Sequence, residues 1–308
     1  MSNVIESAAV IATSTAAAPA RPRAARLALY ALLILAAIGF LVPLVAMVFT
    51  SLKSMPEING LAPYEGSTIL SVPRAPSFEA WGLAWSSACI AVSCEGLKGY
   101  FWNSIVLCLF AVTISVCVGA VNGYALTKWR FRGDNLIFAL FLFGCFIPFQ
   151  IVLIPIARLL GLAGLSGSMT GLVAVHVLYG IAFTTLYFRN FYVAVPDELI
   201  KAARIDGAGF WTIFLFVIVP ISGPIAVVSV IWQFTSIWND FLFGASFAGP
   251  ESRPLTVALN NLVNTSTGTK AYNVDMAAAM IAALPTMLVY IVAGKFFVRG
   301  LMAGAVKG

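Results

Sequence analysis

The sequence predicts an all-α fold, a polytopic membrane protein with six transmembrane helices. Composition is the first reason: of 308 residues, 61% are hydrophobic and 10% charged, far from the balance of a soluble domain. Length is the second. Six apolar runs, near 27–50, 103–127, 135–157, 169–188, 211–238 and 276–297, match the ~20 residues that a helix needs to cross a bilayer. The third is an uneven division of Lys and Arg among the segments that join these runs.

Residues 1–26 are rich in Ala, Ser and Thr, with a few Arg. They lack the compact apolar core and cleavage site of a signal peptide. They read as a flexible tail, and the first span as an uncleaved signal anchor. The loop at about 51–102 mixes Pro, Gly and Ser with aromatic residues late in its course, a composition suited to short interfacial helices. It holds Cys89 and Cys94 on the outer side, where an oxidising compartment permits a disulfide; two free thiols are the alternative. Cys108, Cys117 and Cys145 fall in spans two and three and read as small apolar packing residues. Gly119 and Gly123 give span two a small-xxx-small pair suited to close helix packing. Pro148, Pro155, Pro220 and Pro285 are expected to kink or end helices, which neighbours in a bundle tolerate. In the second long loop, about 241–275, Leu255, Leu259 and Leu262 recur at helical spacing and predict a short helix with one apolar face. That loop either only connects two spans or engages an external protein. No repeat of twenty to fifty residues is visible.

Orientation follows from the basic residues. With the N-terminus inside, Arg21, Arg23, Arg26, Lys128, Arg130, Arg132, Arg189, Lys201, Arg204, Lys295, Arg299 and Lys307 are cytoplasmic. Lys53, Arg74, Lys98, Arg158, Arg253 and Lys270 lie outside. Twelve against six places both termini in the cytoplasm. The net charge of +6 thus reflects topology, and no basic face on a soluble domain offers itself to nucleic acid.

One polar stretch interrupts the apolar runs, PDELIKAARIDGAGFWTIFLFVIVP from Pro196 to Pro220. Pro196 fits a helix start and Gly207 a helix stop. Asp197 and Glu198 fall in the first turn, where carboxylates complement the helix dipole. Ala202, Ala203, Gly207 and Ala208 leave little side-chain bulk, so another surface can approach the backbone. A short docking helix at the membrane surface and an ordinary cytoplasmic loop both fit these features.

Polar groups inside lipid are costly and tend to be functional. Those in or beside the spans are Asn122, Gln150, His176, Gln233, Asn239 and Asp240. They include neither a run of carboxylates nor regularly spaced Arg, which argues against a proton relay and a voltage sensor. His176 reads as a group hydrogen-bonded between helices, with a substrate ligand or proton carrier as the alternative. Gln150 follows Pro148 and either satisfies the carbonyl that the proline frees or joins it in facing a polar cavity. WQFTSIWNDFLF, Trp232 to Phe243, closes span five with Trp238, Asn239 and Asp240 together. Rings, amides and a carboxylate suit a sugar, and interfacial Trp also serves as a membrane anchor; both readings stay open. No phosphate loop of the form GxxxxGK[ST] is present, so the chain is not expected to hydrolyse ATP. No nucleophile–base set, metal-ligand set or HExxH supports an enzyme.

The stretch at 196–220 resembles the EAA loop of ATP-binding-cassette importer permeases. Ala202, Ala203, Asp206, Gly207, Ala208, Phe214 and Pro220 stand at the places of that motif, with Lys201 where the family has Glu and with Glu198 retained. KWRFRG at 128–133, WNDFLF at 238–243 and FFVRGLMAGAVKG at 296–308 resemble the carbohydrate-uptake branch, that of the smaller maltose-permease subunit. Within it, GYFWNSI, LFGCFIPFQ, VHVLYGIAFTTLYFRN and VALNNLVNTSTG look most like glucose/mannose permeases, with α-glucoside and other oligosaccharide permeases as close competitors. A self-sufficient secondary transporter is the reading from another class; the missing coupling carboxylates and inverted repeat speak against it.

The resemblance implies a type I importer permease domain over 27–308, with a cytoplasmic coupling loop at about 189–210. It implies a bacterial inner membrane, a second permease subunit, two ATPase subunits that bind ATP and Mg, and an extracytoplasmic sugar-binding protein. Glu198, Lys201, Ala202, Ala203, Asp206, Gly207 and Ala208 are then the residues that couple to the ATPase. Lys201 removes any salt bridge that the family Glu makes. Gly300, Gly304 and Lys307 are the C-terminal contact with the ATPase dimer. Gln150, Gln233, Trp238, Asn239 and Asp240 are the candidate pathway residues.

Overall fold

The computed structural model describes residues 23–264 and 270–305, with side chains as far as 294. Among the described residues every regular element is helical. The chain divides within its first helix into an N-terminal unit ending at Met47 and a main unit beginning at Val48.

Helix α1 is Arg23–Ser51. It begins before Leu27 and so takes in Arg23 and Arg26 of the expected tail; residues 1–22 of that tail lie outside the described residues. From Arg23 to Pro43 its residues are exposed on every side, Leu27, Leu32, Leu35 and Phe40 among them. A helix apolar all round needs lipid or protein around it, not water.

The main unit starts with an ordered loop. Helices α2 (Met55–Ile58) and α3 (Glu79–Ser86) lie within it, and only α3 falls in its aromatic part. The buried Lys53 ammonium donates to the Thr68 carbonyl at 2.6 Å and to Ser71 Oγ at 3.0 Å. The equally buried Glu57 accepts the Arg74 amide at 2.7 Å. Burial lowers the Lys53 pKa, and the Glu57 charge opposes that shift. Cys89 and Cys94 are joined, S–S 1.97 Å, around an Ile90–Ser93 bridge.

Helix α4 (Lys98–Lys128) and helix α7 (Met169–Val193) form the centre of the main unit. They meet at the glycine pair. A Cβ at Gly119 would lie 2.3 Å from Thr184 Oγ1, and one at Gly123 2.7 Å from the Phe188 Cβ. The approach brings Thr184 Oγ1 to donate to the Ser115 carbonyl at 2.8 Å, and Asn122 to donate to Thr185 Oγ1 at 3.2 Å.

Two of the expected spans are sharply bent. Span three is α5 (Asp134–Phe146) and α6 (Phe149–Leu162), at 105° to each other. Pro148 has no amide hydrogen and holds Ile147 out of the helical region, at φ −67° and ψ 121°. Span five is α9 (Phe210–Ile221) and α10 (Gly223–Trp238), at 79°. A π-turn at Phe214–Ile218 and Pro220 precede the bend, and Pro224 follows it. Pro155 and Pro285 instead sit inside continuous helices.

After α10 come α11 (Leu242–Phe247) and α12 (Leu255–Val263), the latter at the predicted leucine spacing. The loop around them is pinned to the start of α4. Asn103 donates to the Glu251 and Arg253 carbonyls at 2.8 and 3.0 Å, and the Leu255 amide donates to Ser104 Oγ at 2.8 Å. Helix α13 (Tyr272–Ala305) is the last described element. Asn273 near its start donates to the Lys53 carbonyl at 3.0 Å.

Candidate functional site

The polar interruption forms a separate helix, α8, Asp197–Ile205. Pro196 precedes its first turn, and Gly207 stops it with φ +80°. The Gly207 amide donates to the Arg204 carbonyl at 3.0 Å and the Ala208 amide to Ala203 at 2.9 Å, the double bond pattern of a Schellman stop. Ile200 is buried, while Glu198, Lys201, Ala202, Asp206 and Gly207 are exposed. Leu199 and Ile205 are also exposed, Ile205 to 86%. The small-residue face is divided. Ala203 and Ala208 turn inward against a cluster of Tyr124, Phe188, Tyr192, Ile213 and Phe214, so only Ala202 and Gly207 of that set remain outside.

The start and end of α8 are both strapped to the end of α4. Lys128 donates to Asp197 Oδ1 and to the Val195 carbonyl, each at 2.6 Å. Arg204 donates to the Lys128 carbonyl at 3.2 Å, and its guanidinium lies 4.2 Å from the Trp129 ring centroid. The Lys128 hydrogen bond and charge hold the Asp197 carboxyl below the usual Asp range. Trp129 meets Phe210 edge-on at 5.4 Å, and Phe210 lies 4.8 Å from Tyr124. The helix, the end of span two and the start of span five therefore pack as one block.

A second site lies at the break in span three. A cavity of about 480 Å³ opens there, between α5, α7 and α10. Phe146, Phe149, Tyr179, Phe183, Trp232 and Phe243 form its apolar walls, and Cys145, His176, Gln233, Ser236 and Asp240 also line it. Asp240 accepts the Phe243 and Gly244 amides at 3.0 and 3.1 Å, an arrangement that fits its place before α11. Burial pushes its carboxyl up, against the pull of the Gly244, Phe243 and Leu242 amides. His176 Nε2 stands 3.7 Å from Asp240 Oδ2, too far for a hydrogen bond.

Of the expected pathway residues, Gln233 and Asp240 reach this cavity, and Gln150, Trp238 and Asn239 do not. Gln150 is exposed one residue beyond the Pro148–Phe149 wall. Trp238 is buried in the core and donates to the Ala282 carbonyl at 2.9 Å. Asn239 is exposed and caps its own helix through the Thr235 carbonyl at 2.9 Å. His176 is expected from the sequence to be hydrogen-bonded between helices; instead its Nε2 has no hydrogen-bond partner among the described residues, and it lines the cavity together with Trp232. No motif joins His176 to Asp240; only the fold brings them together. At the C-terminus, Gly300 and Gly304 fall in the last turns of α13, and Lys307 lies outside the described residues. Among the described residues no group of three or more His, Cys, Asp or Glu side chains is placed to hold a metal.

Residues 97–302 match the family described as binding-protein-dependent transport system inner membrane component. The chain is 32% identical to a xylose/arabinose import permease protein of Haloferax volcanii, over 91% of this chain and 93% of that one. It is 45% identical to a probable ABC transporter permease protein of Pyrococcus horikoshii, over 60% of this chain and 68% of that one. It is 30% identical to an α-glucoside transport system permease protein of Rhizobium meliloti, over 70% of this chain and 58% of that one. Its fold resembles a chain of a bacterial ABC transporter involved in the import of the acidic polysaccharide alginate. There the TM-score is 0.77 at 22% identity, over 91% of this chain and 100% of that one.

Proposed function

The chain belongs to the family of binding-protein-dependent transport system inner membrane components, and from that premise we propose that it is the permease subunit of a glucose/mannose importer. At the coarser level the chain is a multi-pass permease subunit of a sugar ABC importer. In this reading it forms the translocation pathway with a second permease subunit. Two separate ATPase subunits bind ATP and Mg, and an extracytoplasmic binding protein delivers the sugar. The observation that carries the reading is α8: a short, exposed helix with a glycine stop, strapped to span two and packed on the start of span five. Such a helix presents a surface to a soluble partner and passes its displacement to the spans.

On this reading Glu198, Lys201, Ala202, Asp206 and Gly207 touch the ATPase, while Ala203 and Ala208 hold the helix to the membrane domain. Lys201 sits on the docking face as a cation, so its contact on the ATPase is an acceptor. Gly300, Gly304 and Lys307 extend toward the ATPase dimer, with both termini in the cytoplasm. ATP binding by the partner shifts the permease between inward- and outward-facing states.

The sugar is tested by uptake of labelled glucose, mannose and an α-glucoside into proteoliposomes that hold the complete importer. Glucose and mannose are expected to be carried and to compete with each other. Uptake of the α-glucoside alone would transfer the chain to the oligosaccharide reading, which the α-glucoside relative supports.

A further inference from the structure

We propose that the cavity at the break in span three binds one uncharged sugar ring directly, with Asp240, Gln233 and His176 taking its hydroxyls. The inference rests on the sugar-importer reading and adds a site within this chain to it.

Four observations converge. The cavity, about 480 Å³, falls in the ~300–1,000 Å³ range of small-molecule sites. Its walls are aromatic on several sides, with Trp232 and Phe183 4.5 Å apart and Phe243 5.0 Å from Tyr179. Ring faces of this kind receive the C–H faces of a pyranose. The polar groups stand in one cluster: Gln233 donates weakly to Ser115 Oγ at 3.3 Å and to the His176 carbonyl at 3.4 Å, and His176 faces Asp240. Two atoms of that cluster lack hydrogen-bond partners, His176 Nε2 and Gln233 Oε1, on residues only 4% and 2% exposed. Buried polar atoms without partners are costly. A hydroxyl, which both donates and accepts, relieves that cost at each of them.

The lining also sets the charge of the ligand. Asp240 is its one acid, and no Lys or Arg lines the cavity. A carboxylated or phosphorylated ring would bring a second negative charge beside Asp240 with no cation to offset it, where low polarity strengthens the repulsion. A neutral ring meets no such opposition. The cavity lies between the two halves of bent span three and the outer end of span five. A bound ring therefore touches elements that are expected to shift during transport.

Cys145 lines the cavity and Cys117 does not. The assembled importer, held without ATP, is treated with N-ethylmaleimide and its peptides read by mass spectrometry. Glucose is expected to slow labelling of Cys145 and to leave Cys117 unchanged; glucuronate is expected to protect neither. Asp240→Asn and Trp232→Ala should each abolish protection. Each should also lower sugar uptake per ATP hydrolysed by about tenfold, the size of losing a charged hydrogen bond or a stacked ring. Trp232→Ala keeps the test open if Asp240→Asn fails to fold, because Asp240 also holds α11. Sugar transport with no protection of Cys145, and with both variants at parental uptake, would overturn the subsite while leaving the importer reading intact. Equal protection by glucuronate would overturn the neutral-ring assignment. An importer that moves no sugar with any ATPase would instead fail the parent reading.

Discussion

Gly207 is the residue that ends α8 and, on the proposed reading, shapes the surface that docks on the ATPase. Its φ of +80° is open to glycine and costs a residue with a β-carbon roughly 1–2 kcal/mol. A Cβ there meets nothing within 4 Å, so the added bulk of Gly207→Trp enters open space on the exposed side. We expect Gly207→Trp to insert and express but to lose co-purification of the ATPase and ATP-coupled uptake. Ala203→Trp differs, because Ala203 packs on the Tyr124–Phe214 cluster. Overpacking costs about 1–3 kcal/mol, so Ala203→Trp should lower the yield and melting temperature of the folded chain. Parental yield for Ala203→Trp, measured by size-exclusion chromatography in detergent, would show that the residue faces outward after all. The sequence showed which residues on this stretch are small; it could not show which of them turn inward, because that depends on Phe188 and Ile213 arriving from other helices. The same holds for His176, whose neighbour Asp240 comes from the connection between α10 and α11.

At the level of elements, Lys128 and Arg204 tie α8 to the end of α4, and on the proposed reading this strap passes docking of the ATPase to the spans. Lys128 and Asp197 pair at 2.6 Å, with the Asp197 side chain 65% exposed and that of Lys128 only 6%, so loss of the carboxylate leaves a nearly buried ammonium held by the Val195 carbonyl alone. Asp197→Lys should therefore lower the melting temperature and, on the proposed reading, raise the ATP hydrolysed per sugar imported. Adding Lys128→Asp should recover part of the coupling. Equal coupling in parent, single and double variants would show that the strap carries no motion. Because Lys128 depresses the Asp197 pKa below 3.8, the pair is fully present above that value and lost only as pH falls through the lowered one. Coupling through it is thus insensitive to pH near neutrality. The KWRFRG segment was legible as a family motif, but its contact with α8 was not. The bends tell a similar story. Pro148 ends a helix and Pro155, seven residues later, does not; the chain alone lists both as breakers, and packing decides between them.

For the whole molecule, the six apolar runs were legible because the bilayer imposes length and composition on each. Four appear as single helices and two as bent pairs, and the break in span three opens a cavity that the sequence offered only as one of two readings at Pro148 and Gln150. The molecule combines a short exposed helix, its strap to span two, and a cavity at the break in span three. On the proposed reading, ATPase subunits outside the chain drive the transport. The direct measurement is uptake of labelled sugar by proteoliposomes containing this chain, its second permease subunit and the binding protein, with and without hydrolysing ATPase subunits. Uptake is expected only when active ATPase and ATP are both present. Uptake that proceeds without them, driven by an imposed ion gradient, would identify a secondary transporter and contradict the account.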